Sequence, residues 1–221
     1  MKATALLLNW NRSDNIVKII NSLKSQSVSV EIFLWNNNVE DNNKYNVDLQ
    51  INSEKNLMCL PRWFMGIYAS SEYIFSLDDD LIFNDTKVVE DCVNFLKEND
   101  TAIGKTGVIL NNDKDYWKSK HVLNPDPHKN ISVDIIKGRF LMCSKEYISK
   151  IPLNNFDNVH FTNPRIEDDI ILSSAINNKQ IPSFLHHRFK ELPNGGISLY
   201  GSVGHNLSRK QTTDKYFNEK K

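Results

Sequence analysis

Through the first hundred residues, apolar bursts of strand length alternate with stretches whose apolar positions repeat every three or four residues. Ala3 to Asn9 is a nearly unbroken apolar run, the pattern of a strand buried on both faces. Ser13 or Asp14 is placed to cap a following helix, with Ile16, Ile19, Ile20 and Leu23 on one face. Val30 to Trp35 repeats the strand pattern and ends in Asn36-Asn37-Asn38, and a weaker strand signal lies near Val47 to Ile51. Pro61 opens a short helix predicted over Arg62 to Ser70. Tyr73 to Leu77 is a further strand, and it stops at Asp78-Asp79-Asp80. Thr86 is placed to cap a helix carrying Val88, Val89, Cys92, Val93 and Leu96.

Strands that alternate with helices imply an α/β fold, a mostly parallel central sheet with helices on both faces. In such sheets ligands bind outside the carboxyl ends of the strands. Trp10-Asn11-Arg12, Asn36 to Asn38 and Asp78 to Asp80 are therefore expected along one rim. The second half is less regular. Ile103 to Leu110 and Phe140 to Met142 read as strands, and Ser144 to Ile151 as a short helix ended by Pro152. Ile166 to Ile176 is a clearer helix, with Ile166, Ile170 and Ser173 or Ser174 on one face. Glu167, Asp168 and Asp169 fall in its first turn, where negative charge suits the helix dipole. At about 100 degrees per residue Asp168 lies opposite Ile166, so periodicity does not single it out among the three. From Leu192 onward the chain is polar and Gly-rich, then basic.

Composition narrows the picture. The 221 residues suffice for one domain with a substantial core. Lys plus Arg and Asp plus Glu number 27 each, so no broad field draws the chain to nucleic acid, and any bound anion must meet a local site. Three cysteines without a C-x-x-C pair argue against a disulfide framework, and Cys92 and Cys143 read as buried free thiols. The N-terminal apolar run is too short for a signal segment, and every other run is strand-sized. The expectation is a soluble, cytoplasmic chain without a membrane span.

The chemistry concentrates in the acids. Three adjacent carboxylates at a strand end repel one another unless a cation is present, and an all-oxygen set suits Mg2+ or Mn2+, metals that bridge diphosphates. The bland alternative is a solvated acidic turn. Other candidates have similar alternatives: Arg12 as a partner of Asp14, the Asn36 to Asn38 run as a simple turn, Arg62 as a surface residue, and Trp35, Trp63 and Trp117 as core or acceptor-shelf residues.

The run EYIFSLDDDLIF resembles the D-x-D segment of nucleotide-sugar glycosyltransferases with the A-type fold. In collinear order, LLNWNR resembles their first strand and following Arg, and LWNNN their second-strand ending, closest to the exostosin-like family. Asn56 with Arg62 and Gly66 resembles their Gly- and Arg-containing stretch, although Leu57-Met58 replaces the expected Gly region. IEDDIILSSA resembles their downstream acidic motif, and Gly196 to Ser198, His205, Arg209 and Phe217 resemble the exostosin-like C-terminal segment. Compact enzymes of this kind are also encoded by large algal DNA viruses.

The resemblance implies one glycosyltransferase domain over residues 1–221, with a nucleotide-binding half (1–110) and an acceptor-binding half (111–221). It implies a UDP-sugar donor, a glycan or glycoprotein acceptor, Mn2+ or Mg2+ as cofactor, and retention at the anomeric carbon. Asp80, Asp78 and His205 are implied at the metal, the last carried by a mobile C-terminal segment. Arg12, Asn37, Asn56, Arg62, Asp78, Asp79 and Arg209 are implied at the donor, and Asp168, flanked by Glu167 and Asp169, at the reacting sugar. Two other readings compete. A haloacid-dehalogenase-like phosphatase would use Asp78 as nucleophile and Asp80 as acid, but that motif normally ends a first strand. A non-catalytic sugar- or nucleotide-binding module would not need both acidic clusters.

Overall fold

The computed structural model describes residues 1–149, 167–193, 195 and 204–218. Its strands and helices, in chain order, are β1 (Lys2–Asn9), α1 (Ser13–Lys24), β2 (Ser29–Asn36), β3 (Leu49–Asn52), α2 (Pro61–Gly66), β4 (Tyr73–Leu77), β5 (Leu81–Phe83), α3 (Val88–Glu98), β6 (Ala102–Gly104), β7 (Gly107–Ile109), β8 (Lys120–Val122), β9 (Ile131–Ser132), β10 (Ile135–Ile136), β11 (Phe140–Ser144), α4 (Glu146–Ser149), α5 (Asp168–Ala175), β12 (Lys179–Ile181), β13 (Phe189–Glu191) and α6 (His205–Thr213).

Eight strands form the main sheet in the order β3-β2-β1-β4-β11-β6-β12-β9. The first four are mutually parallel, as the strand–helix alternation requires. β11 then runs antiparallel to both β4 and β6. Alternate residues of the central strands face opposite sides. Ala5, Leu7, Tyr73 and Phe75 join a core with the apolar faces of α1 and α3. Leu6 and Ile74 join a second core with Trp63, Met65, Ile171 and Leu172 of α2 and α5. Helices therefore cover both faces, and β1 and β4, buried on each side, need the continuous apolar runs seen in their sequence.

Several expectations need correction. The 103–110 run is two strands, not one: β6 belongs to the main sheet, whereas β7 pairs with β8 and β10 in a small separate sheet. The break is at Lys105-Thr106, between two glycines whose backbone lies too close to Phe140 and Ile135 for a side chain. Neither predicted cap acts as one: Arg12 and Lys87 occupy the N-cap positions without a side-chain cap bond. Ser13 donates instead to Asp41. The helix after Pro61 ends at Gly66, where an added Cβ would meet Ile148 at 2.4 Å. Helix α5 starts at Asp168, with Glu167 at its N-cap, and is buried nearly all round, so no single core-facing stripe exists. Ile166, Gly196 to Ser198 and Gly201 lie outside the described residues, as does the chain beyond Ser149 in the helix predicted to reach Ile151. Helix α6 was not anticipated from the polar tail. Among the described residues no helix is long and apolar enough to cross a membrane.

Candidate functional site

The carboxyl ends of β1, β2 and β4 meet as the parallel order dictates. Asn9 donates to Asn36 (2.9 Å) and to Asp41 (2.8 Å), and Asn36 donates to the Asp41 carbonyl (2.8 Å). Tyr45 also donates to Asp41, whose four donors outweigh its burial and hold its carboxyl below the usual range. This buried network fixes the ends of β1 and β2, so the Asn run is more than a turn. Asn37 is buried too; its amide accepts from Leu57 N (3.0 Å) and donates to the Met58 carbonyl (2.9 Å). Asn56 accepts from Met58 N at 2.8 Å. Met58 itself has φ of 60°, a left-handed conformation that favours glycine. The resemblance lacks its glycine at this place, and two asparagines hold the strained turn in its stead. Asn11, between Trp10 and Arg12, is also left-handed (φ 57°), a conformation Asn tolerates.

Arg12 does not pair with Asp14. Its guanidinium contacts Asp79 and, at 3.3 Å, Asp80, while Trp10 N donates to Asp79 at 3.3 Å. Arg139, which sequence reasoning missed, approaches Asp80 at 3.2 Å and also pairs with Glu191. The strand pair β5–β13 brings Glu191 there, and Leu192 N donates to the Asp80 carbonyl at 2.7 Å. Asp78 pairs with Arg62 at 3.2 Å. Burial, and then the neighbouring Asp80 and Asp79, outweigh Arg62 and push the Asp78 carboxyl up to about 6. Negative charge is therefore undercompensated at Asp78, whose side chain is 34% exposed.

Arg62 is no surface residue; it is 1% exposed. Its Nε and Nη2 reach Asp168 Oδ2 at 3.0 and 2.9 Å, and Trp63 Nε1 donates to the same oxygen at 2.7 Å. One buried cation thus ties the acidic end of β4 to the first turn of α5. Gly138 allows the approach, since a Cβ there would lie 2.8 Å from Arg62 Nη2. Asp169 accepts from Gly138 N (3.1 Å) and from Arg209 Nη2 (2.8 Å). Burial alone would raise the Asp169 carboxyl, but Arg209 prevails and lowers it. Arg209 also holds Glu167 at 2.7 Å, yet burial dominates there and raises the Glu167 carboxyl to about 7. His205 sits at this end of the site, Nδ1 3.6 Å from Glu167.

The structure thus brings Arg12, Arg62 and Asp78 to Asp80 together with Asp168. Glu167, Asp169, His205 and Arg209 form an adjoining group on α5 and α6, and Asn37 and Asn56 brace the loop before α2. Sequence reasoning missed Arg139 and the Asp168 role of Trp63; the signal was the triplet itself, which needs more counter-charge than one nearby Arg.

The residues at Asp78 and Asp80 fit a hard divalent cation. They offer only oxygen, and Asp78 lacks full compensation. Among the described residues no group of three or more His, Cys, Asp or Glu could hold a metal unaided. That is the pattern of Mg2+-type sites in which one or two carboxylates share the ion with substrate phosphates.

A family model described as glycosyl transferase family 2 matches residues 67–162, fewer than half of the chain; the match includes the Asp triplet and stops before Glu167. No curated protein matches the chain. Among solved structures, S. aureus TarS 1-349 in complex with UDP-GlcNAc is similar with a TM-score of 0.62 at 14% identity, over 91% of this chain and 61% of that one. The complex of the same protein with UDP gives a TM-score of 0.55 at 16% identity, over 83% and 58%. The chain thus spans about three fifths of the length of these structures. The parallel β3-β2-β1-β4 half-sheet, the antiparallel β11 beside it and this likeness give the same answer, and the fold is the A-type fold of nucleotide-sugar glycosyltransferases.

Proposed function

We propose that the chain is a metal-dependent glycosyltransferase that moves a sugar from a UDP-sugar to a hydroxyl group of a glycan or glycoprotein. The observation that carries the reading is Arg62, which joins the triplet at Asp78 to the acid at Asp168. A donor has two ends that need opposite treatment, an anionic diphosphate and a sugar carbon that becomes positive as the diphosphate leaves. The site has one group for each, held at a fixed separation by a buried guanidinium. The match to the family 2 model and the UDP complexes of a similar fold support UDP as the carrier.

In this reading Asp80 and Asp78 would hold Mn2+ or Mg2+, which supplies positive charge against the diphosphate. Arg12 and Arg139, each already beside Asp79 or Asp80, neutralise the same region. Asn37 and Asn56, which the resemblance implies at the donor, also hold the Met58 turn. Asp168 is pinned through Oδ2 by three donors, which fixes its orientation. Its carboxylate stabilises the oxocarbenium-like centre and acts on the acceptor hydroxyl. Acting as base it takes the proton of the acceptor oxygen as that oxygen displaces UDP, which gives inversion; acting as nucleophile it bonds the anomeric carbon as UDP leaves and is itself displaced by the acceptor oxygen, which gives retention, the outcome that the exostosin-like resemblance implies. NMR of the first-formed product distinguishes the two. The phosphatase alternative has no support in the fold.

Calorimetry tests the donor end. UDP should bind the chain in the presence of Mn2+ and bind far more weakly without it, and Asp80→Ala should remove the metal dependence while leaving the fold intact. Equal UDP affinity with and without metal would refute the proposal.

A further inference from the structure

Beyond the donor site, Trp117 forms a fixed aromatic ledge beside the Glu167 and Asp169 group. Its indole N–H donates to the Asn206 carbonyl at 2.9 Å, which locks the ring. His121 lies nearly parallel to it (centroids 6.1 Å, 19°) and His205 meets it edge-on at 6.5 Å. Tyr116 backs the ledge at 4.9 Å, and the Arg209 guanidinium lies 4.6 Å from the Tyr116 ring. Arg209 connects the ledge to the acids, because it also holds Glu167 and Asp169.

Lys137 stands at the edge of this group. Its ammonium lies 3.0 Å from His121 Nδ1. An ammonium only donates, so Nδ1 accepts, and Nε2 carries the proton to the Tyr116 carbonyl at 3.0 Å. His121 is thereby held neutral and gives Lys137 no counter-charge. Among the described residues Lys137 has no carboxylate within ion-pair distance, whereas Arg209 has two. Lys137 also precedes Gly138, whose N–H binds Asp169, whereas Arg139, on the other side of Gly138 in sequence, pairs with Asp80. Lys137 is half-buried and joined to the partly exposed indole through His121; burial and the nearby Arg209 oppose its charge more than Asp169, beyond ion-pair distance, supports it, so an anion from solution would lower the cost.

We propose that Trp117 and Lys137 form the acceptor subsite, and that the acceptor is a pyranose bearing a negative group, a carboxylate or a phosphate. The C–H face of the sugar packs on the indole, and the anion pairs with Lys137. This rests on the glycosyltransferase reading for the word acceptor; the binding itself does not. The test is ligand-observed NMR titration of the full chain with methyl β-D-glucuronide, glucose 6-phosphate and methyl β-D-glucoside. At least one anionic sugar should bind about fivefold or more tightly than the neutral one, and the two anionic arms identify the source of charge. Lys137→Met should bring the anionic sugars to within about twofold of the neutral one. Trp117→Ala should weaken all three, and Trp117→Phe should restore most of the loss, which separates a stacking role from a folding defect. Equal binding of charged and neutral sugars by the unaltered chain, no binding of any, or a charge preference that survives Lys137→Met would overturn the proposal. UDP affinity, measured on the same samples, should be unchanged in both variants. Absence of UDP binding would undo the donor reading without touching the sugar result.

Discussion

Replacing Arg62 by Met keeps much of the side-chain volume and removes the charge that joins the two ends of the site. The structure sets the size of the effect. The Arg62 and Asp168 side chains are 2% and 6% exposed, whereas Asp78 is 34% exposed. Asp78 can recover water when its partner goes; Asp168 cannot. Breaking a buried pair by removing one member costs about 3–5 kcal/mol, because the other charge is stranded. Most of that cost should come from Asp168, with the partly exposed Asp78 adding less. Asp168→Asn alone should cost less, about 1–3 kcal/mol, since Asn can still accept from Trp63 and Arg62 keeps Asp78. The double variant Arg62→Met/Asp168→Asn removes the stranded charge and should be less unstable than the sum of the two, with a coupling of about 1–3 kcal/mol. Urea unfolding followed by circular dichroism reads all three, provided the slopes agree. If Arg62→Met loses less than about 1 kcal/mol, or if the costs add without coupling, Arg62 is not the buried link described above.

Two further outcomes follow from the site. Asn37→Ala removes its two bonds to the Leu57-Met58 turn, leaving only that of Asn56, and should destabilise the chain by about 1–3 kcal/mol; adding Met58→Gly, which relieves the left-handed backbone, should return part of the loss in the same unfolding assay. Burial raises the Glu167 carboxyl from 4.5 to about 7, so the folded chain binds that proton more tightly than the unfolded one, and stability should fall as pH rises from about 4.5 to 7 and then level off. At about 1.4 kcal/mol per tenfold the span is roughly 3.5 kcal/mol at most; thermal melts should show the decline, and Glu167→Gln should flatten it, while an unaltered decline in that variant would assign the proton elsewhere.

The sequence made the sheet legible where the physics is local. Strands β1 and β4, covered on both faces, must be continuously apolar, and α1 and α3 show their inner faces at helical spacing. The rim followed from topology alone, because parallel strands end on one side. The 103–110 run failed for the same reason the others succeeded: its apolar content is that of a strand, and nothing local shows that Lys105-Thr106 turns the chain into another sheet. Asp168 illustrates a second limit. Helical spacing placed it away from the core, but a helix buried nearly all round has no outer side, and the partners that make its burial tolerable, Arg62 and Trp63, lie more than a hundred residues earlier. Arg139 and Lys137 were invisible for a like reason. Their significance lies in which carboxylate each meets or lacks, and only the fold decides that.

The central claim is that Asp168 promotes loss of UDP from a sugar bound at the Asp78 to Asp80 end. Release of UDP from a panel of UDP-sugars that includes UDP-GlcNAc, with Mn2+ and without added acceptor, measures this most directly, since slow hydrolysis needs only the donor. The unaltered chain should release UDP from at least one donor in a metal-dependent manner, and Asp168→Asn should bind UDP normally while slowing release by on the order of a hundredfold or more. No release from any UDP-sugar, or release by Asp168→Asn at the unaltered rate, would contradict it.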